Sequence, residues 1–206
     1  VGTTKFITGS LANGLSDNLT TSAEGLAGNC LQFNGDTQLS RGLTFLSTNL
    51  NGQYSSELSI TAHFTVDSLD TIDDQTNDKA YILYIDNVAS LWVDDGGKVN
   101  ASVTTDDATT TVTLQSTFSV PAGNGIPTNV IITADVSLIT GNIKMFVNGI
   151  LEDQSGKKTT AGSSKNWKTG QNIESNMSYV HVGFEPLILS QGTKKNLFNG
   201  KIEEMV

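Results

Sequence analysis

The feature that most constrains this chain is an alternation of apolar and polar residues with a period of two. Between Glu57 and Val66 every second residue is apolar, and polar residues occupy the positions between them. Similar alternation recurs in 99–104, 111–120 and 130–134, and apolar residues are spaced by two in 143–147. Because successive side chains of a β-strand point to opposite faces, the pattern predicts strands with one buried face.

Turn signals separate these segments. Six dipeptides accept the positive φ of a tight turn, namely Asn13-Gly14, Asn34-Gly35, Asn51-Gly52, Asp95-Gly96, Asn148-Gly149 and Asn199-Gly200. Helical periodicity is confined to a predicted turn at 11–15 or after Leu187, and the unpatterned stretch 154–176 predicts a long loop held by Trp167. Closing strands are predicted within 179–184 and 197–206. Many short strands without covering helices predict an all-β fold, an antiparallel two-sheet β-sandwich.

The length predicts one domain. A β-sandwich can use 206 residues alone, and no internal repeat or linker divides the chain. We therefore expect a single domain over 1–206, either a mature protein or a piece of a longer one.

Charge and composition narrow the range of partners. The net charge of −9 repels phosphate backbones and anionic lipid, and Arg41 is the only arginine. No apolar run approaches the ~18–20 residues that span a bilayer. We expect no nucleic-acid partner and no membrane insertion.

Cys30 is the only cysteine, so an internal disulfide is impossible, and its apolar strand predicts a small buried side chain.

Several segments, in their order, resemble the LamG-like jelly-roll family, relatives of laminin G and pentraxin domains in the concanavalin A-like superfamily. They are CLQFNG at 30–35, LSITAHF at 58–64, the segment 91–103, the segment 129–149 ending in MFVNG, VHVG at 180–183 and FNGKIEE at 198–204. The chain departs from the family at 127–129, which lacks the usual Trp, at His63, which stands near another family Trp, and at Glu203, which replaces Asp. The resemblance implies a concanavalin A-like jelly roll.

Catalytic patterns are scarce in the sequence. Glycosidases of the superfamily carry Glu-x-Asp-x-Glu on one strand, where the period of two sets both carboxylates on one face, and no glutamate here stands in such a triplet. The chain also lacks a Gly-x-Ser-x-Gly elbow and a phosphate loop. We predict that it is not an enzyme. The alternative is a concanavalin A-like glycoside hydrolase or lyase with an atypical carboxylate site.

Calcium is the one cofactor that the sequence suggests. Hard oxygen ligands crowd one segment, formed by Asp67, Asp70, Asp73, Asp74 and Asp78. No glycine lies among these residues, so they do not form an EF-hand loop. A solvated acidic loop is the competing interpretation, and it is the favoured one. The family resemblance implies a second possible position at the rim, using Asp36 or Glu203.

Recognition of a sugar requires an aromatic platform beside hydrogen-bonding groups. Trp92 alternates with two apolar neighbours and is therefore predicted to face away from the core. It is then an exposed platform, or alternatively a loop or a neighbouring subunit covers it. On the outer faces of nearby strands we expect His63, Thr61, Asn100 and Ser102. If these strands share a concave sheet, the five residues form the predicted ligand-binding groove.

We therefore expect a non-catalytic recognition or structural module that binds a glycan or a protein. The richness in Thr, Ser, Asn and Gly at low charge is typical of extracellular, cell-surface or virion proteins. An adhesin-like protein of a bacterium or an outer bacteriophage component is the predicted setting. The absence of a leader before Val1 is expected for a virion protein, but an excised domain would look identical.

Overall fold

The computed structural model describes residues 20–25, 28–35, 43–45, 57–70, 79–85, 88–104, 111–135, 143–155, 180–184 and 197–205. These residues form strands β1 Thr20–Gly25, β2 Gly28–Asn34, β3 Leu43–Phe45, β4 Glu57–Val66, β5 Lys79–Ile85, β6 Ala89–Asp94, β7 Lys98–Thr104, β8 Thr111–Ser119, β9 Thr128–Asp135, β10 Ile143–Val147, β11 Ile150–Gln154, β12 Val180–Val182 and β13 Asn199–Met205. No helix in these ranges is long and apolar enough to cross a lipid bilayer.

The strands form two sheets. The first sheet has seven strands in the order β1-β2-β13-β4-β9-β10-β11, and the second has six in the order β3-β12-β5-β6-β7-β8. Neighbouring strands run antiparallel throughout. The prediction of an all-β, antiparallel two-sheet sandwich is confirmed.

The core lies between the inner faces of the two sheets. β4 contributes Ile60, Ala62, Phe64 and Val66, which are the apolar members of the alternation that predicted the strand. The second sheet contributes a matching set, Leu91, Val93, Val99, Ala101 and Val103. Because both sets belong to one buried cluster, the alternation identifies the inner face of each strand correctly. Cys30 is buried as well, as predicted.

Two of the Asn-Gly dipeptides require glycine for different structural reasons. Asn148 and Gly149 have φ values of 51° and 81° and form the tight turn between β10 and β11. Asn199-Gly200 makes no hairpin, because both residues lie inside β13 and pair with β2. A Cβ on Gly200 would lie 2.0 Å from the carbonyl oxygen of Thr65, so glycine is needed here for close strand packing.

Carboxylates join the two sheets along one edge. β8 ends the second sheet, and β11 ends the first. Glu152 Oε2 accepts hydrogen bonds from the backbone N–H groups of Thr117 at 2.7 Å and Phe118 at 3.2 Å. Asp153 Oδ2 accepts one from the N–H of Gln115 at 3.0 Å. We call this set the edge clasp. Among the described strands β8 has no sheet neighbour on that side, and the edge clasp supplies acceptors for its N–H groups.

Other expectations have mixed outcomes. The strands predicted within 179–184 and 197–206 correspond to β12 and β13. The helical turn predicted at 11–15 or after Leu187 falls outside the described residues, as does the loop around Trp167. The single domain over 1–206 stays a prediction.

Candidate functional site

The five residues predicted to line one groove lie on two different surfaces. Thr61 and His63 belong to β4 of the first sheet, whereas Trp92, Asn100 and Ser102 belong to β6 and β7 of the second. In each strand their neighbours enter the core, so all five lie on outer faces. The sheets stack through their inner faces, and the two outer faces are therefore on opposite sides of the sandwich. A common groove is ruled out, and the prediction of one is corrected.

The outer face of the second sheet carries a continuous row of rings. Trp92 contacts Tyr81, with ring centroids 5.7 Å apart, and Tyr81 contacts Tyr84 at 5.4 Å. Tyr84 lies 6.2 Å from His181, which lies 5.2 Å from Phe184. We call these five residues the aromatic row. Tilted and edge-to-face pairs at such distances are favourable, so the row is a packed unit rather than a set of separate rings.

A bulge in β5 makes this row possible. In a regular strand, residues three apart such as Tyr81 and Tyr84 would face opposite sides. The register of β5 against β6 shifts between Tyr81 and Leu83, so that Tyr81 pairs with Trp92 and Tyr84 pairs with Ser90. The extra residue turns both tyrosines outward.

Most of the row is covered. Trp92 is only 8% exposed, and the Nζ atom of Lys79 lies 5.2 Å above its ring. Asn100 is also buried, and its Nδ2 donates to Asp94 Oδ2 at 3.0 Å and to the carbonyl of Lys98 at 3.0 Å. Trp92 and Asn100 are therefore both packed against neighbouring side chains, and their part in ligand binding stays a prediction. Tyr84 is the partly exposed tyrosine of the row.

Ser102 lies beside Tyr84 in a small pocket. The pocket has a volume of about 140 Å³, and Tyr84, Ser90, Ser102 and Thr104 are the polar residues that line it. The hydroxyl oxygens of Ser90 and Ser102 are 2.7 Å apart, a hydrogen-bond distance across β6 and β7. An aromatic side chain, paired hydroxyls and an open pocket are thus combined at one end of the second sheet.

The outer face of the first sheet has a different character. Thr61 begins a cross-strand row that continues through Ile131, Phe146 and Leu151. Leu151 is 45% exposed. Apolar side chains therefore reach the surface on this face.

His63 lies on the same face as Thr61, but its side chain lies beside a carboxylate. Its Nδ1 atom is 3.1 Å from Oε2 of Glu203, and the side chains are 24% and 4% exposed, respectively. The register of β13 against β4 shifts between Ile202 and Glu204, so Glu203 occupies a bulge. The Glu203 carboxylate is thus buried beside an imidazole rather than placed at an open rim.

The structure describes only part of the predicted calcium sites. Asp67 Oδ2 accepts a hydrogen bond from Gln32 Nε2 at 2.8 Å, and the N–H of Asp70 donates to Ser68 Oγ at 2.9 Å. Asp36, Asp73, Asp74 and Asp78 lie outside the described residues. Within the described part of the chain, no three His, Cys, Asp or Glu side chains are grouped to hold a metal ion. A calcium site stays a prediction.

Neither protein-family models nor curated protein sequences give a match. Solved structures do. Domains LG4-5 of the mouse laminin α1 chain match with a TM-score of 0.54 and 12% identity over 93% of this chain and 44% of that chain. The heptameric SAP-like pentraxin of Limulus polyphemus matches with a TM-score of 0.50 and 14% identity over 84% of this chain and 72% of that chain. The chain has a concanavalin A-like jelly-roll fold.

A catalytic protein also contains this jelly roll. NanB sialidase of Streptococcus pneumoniae matches with a TM-score of 0.54 and 14% identity, over 86% of this chain and 25% of that chain. The resemblance inferred from the sequence segments is confirmed as one of fold. At these identities the concanavalin A-like jelly roll alone is shared, so function must be argued from the site.

Most of the aromatic row lies outside the set of residues predicted from the sequence. Tyr81, Tyr84, His181 and Phe184 were not among the predicted residues. The two tyrosines in the apolar run of β5 are the sequence signal that could have indicated these residues. A tyrosine hydroxyl needs a hydrogen-bond partner, which favours a position on the outer face over one in the core. The bulge and the pairing of β12 with β5 decide that they share a face.

Proposed function

We propose that this chain is a non-catalytic recognition module that binds a glycan on the outer face of its second sheet. One observation carries the proposal: Tyr84, backed by the aromatic row, adjoins a pocket with the paired hydroxyls of Ser90 and Ser102. Sugars present an apolar ring face and a fringe of hydroxyls, and this combination matches both.

Packing supports Tyr84 as the contact residue. Its ring is held between Tyr81 and His181, so little side-chain freedom remains to be lost when a ligand binds. Trp92, the platform expected from the sequence, supports this site through Tyr81 instead of contacting the sugar.

The proposed setting is an exterior surface, as an adhesin-like or virion component. Composition supports it, because the chain combines low charge content with many small polar residues. The net charge of −9 supports the further proposal that neither nucleic acid nor an anionic membrane is a partner.

A substitution at Tyr84 tests the proposed site. In a glycan array followed by calorimetry, we expect Tyr84→Ala to weaken binding about tenfold or more, the magnitude of a lost stacking contact of ~1.4 kcal/mol. Phe146→Ala is the matched control, because Phe146 is another partly buried aromatic residue but lies on the opposite outer face. Equal glycan binding by Tyr84→Ala and the unchanged protein would refute the site.

A protein ligand is the second candidate function. The apolar row from Ile131 through Phe146 to Leu151 favours it, since exposed apolar patches are typical of protein interfaces. In that case Phe146→Ala would abolish binding to the protein ligand, and Tyr84→Ala would not.

The enzyme alternative requires two carboxyl groups that face each other across a groove, about 5–10 Å apart. Asp94, a described carboxylate at the end of β6, has structural partners. Asp94 accepts hydrogen bonds from the N–H of Lys98 at 2.8 Å, from Asn100 and from Gln115 Nε2 at 3.1 Å. Incubation of bound glycans with the protein tests the alternative directly, and released sugar would overturn the non-catalytic proposal.

A further inference from the structure

The size and lining of the pocket beside Tyr84 limit the class of sugar that it can hold. Its volume of about 140 Å³ is well below the roughly 300–1,000 Å³ typical of pockets for drug-sized ligands. The space therefore suits one ring at the end of a glycan, with the rest of the glycan outside.

The pocket is suited to hydroxyl groups. Ser90 and Ser102 share one hydrogen bond at 2.7 Å, in which either oxygen is the donor. One hydroxyl hydrogen of the pair and several lone pairs are therefore left for a ligand. The core residues Val88 and Ala89 also line the pocket. A sugar hydroxyl can donate and accept, which fits this pair better than a group that can only accept.

No described residue that lines the pocket carries a full charge. Lys79 and Lys98 begin β5 and β7, so they are five residues before Tyr84 and four before Ser102, about 13–17 Å away along the strands. Among the described residues that line this pocket, an acidic sugar would find no lysine or arginine to compensate for its lost hydration.

We propose that the pocket binds one uncharged terminal sugar residue and that the chain thereby selects neutral over acidic glycans. The ring of the sugar lies against Tyr84, and its hydroxyls bond to Ser90 and Ser102. This inference rests on the proposed glycan-binding function and specifies its ligand class.

Matched pairs of glycans test the selectivity. Each neutral oligosaccharide, such as lactose, is compared by calorimetry with its acidic derivative, such as 3′-sialyllactose, at constant ionic strength. We expect at least tenfold tighter binding of the neutral member. Equal or tighter binding of the acidic member would overturn the inference and leave glycan binding intact, whereas no binding to any glycan would refute the proposed function itself.

Two variants test the pocket. Ser102→Ala removes one hydroxyl of the pair and is expected to weaken neutral-glycan binding about tenfold. Thr104→Lys adds a cation at the pocket and is expected to raise binding of the acidic derivative relative to the neutral one about tenfold. Thr133→Lys, on the outer face of the first sheet, is the matched control and should not change that ratio. If Thr104→Lys also leaves the ratio unchanged, the ligand lies elsewhere and the assignment fails.

Discussion

At the scale of single residues, Gly200 controls how closely β13 approaches β4. Its missing side chain faces the carbonyl oxygen of Thr65 and the ring of Phe198, where an added Cβ would lie 2.0 Å and 3.0 Å from the nearest atoms. Backbone of a neighbouring strand cannot move aside as a flexible side chain can. The hydrogen-bonded pairing of β13 with both β2 and β4 therefore depends on this glycine.

We expect Gly200→Ala to lower the free energy of unfolding by about 3 kcal/mol, because overpacking at this point forces two strands apart. Chemical denaturation measures the change. Gly96→Ala is the control, since a Cβ there meets only Asp94 Oδ1 at 3.4 Å, and it should stay within about 0.5 kcal/mol. A loss at Gly200 no larger than at Gly96 would show that the strands adapt.

Residue patterns predicted which side chains point outward but not how well each is exposed. Trp92 was correctly assigned to the outer face, yet its ring is packed against Tyr81 and under Lys79. Exposure depends on neighbours that are remote in sequence, so an alternation within one strand contains no information on it. Ser102, by contrast, was predicted as a site residue and does line the pocket.

At the scale of elements, strands were predictable and their sheet membership was not. β4 matches its predicted bounds because five apolar positions define one face. The same alternation would look identical in either sheet. The grouping of Thr61 and His63 with Trp92 was therefore wrong, because β4 and β6 belong to different sheets. Sheet membership is set by pairings such as β4 with β9 and β6 with β7.

The edge clasp leads to a prediction at this scale. We expect Asp153→Ala to destabilise the protein by about 1–3 kcal/mol, because the N–H groups of Gln115 and Gln154 both lose their acceptor. Amide hydrogen exchange provides the specific measurement: protection should fall at Gln115. Glu152→Ala should have the same effect at Thr117 and Phe118.

Glu204→Ala is the control for the clasp, since Glu204 is an exposed glutamate in β13 and should change the stability by less than about 0.5 kcal/mol. Unaltered exchange at Gln115, Thr117 and Phe118 in the clasp variants would mean that the carboxylates do not protect β8.

At the scale of the whole molecule, strand order interleaves distant parts of the chain. β2 pairs with β13, and β3 pairs with β12, so early and late segments meet in both sheets. One buried cluster contains residues from both the early and the late segments. No cut in the sequence separates the described strands into two independently packed groups.

We therefore expect the chain to unfold in one cooperative transition. Differential scanning calorimetry should give a calorimetric enthalpy equal to the van't Hoff enthalpy, the signature of a single two-state unit. Two resolved transitions would contradict the prediction of a single domain over residues 1–206.

The interior position of β13 in the first sheet also has a consequence for biosynthesis. Of the described strands, β13 leaves the ribosome last, yet it separates β2 from β4. Until then, β2 and β4 lack a shared partner and expose unpaired backbone groups, a state open to aggregation and to chaperone binding. Completion of this jelly roll thus waits for the synthesis of β13, and slowing the synthesis of the earlier strands should not help the domain to fold sooner.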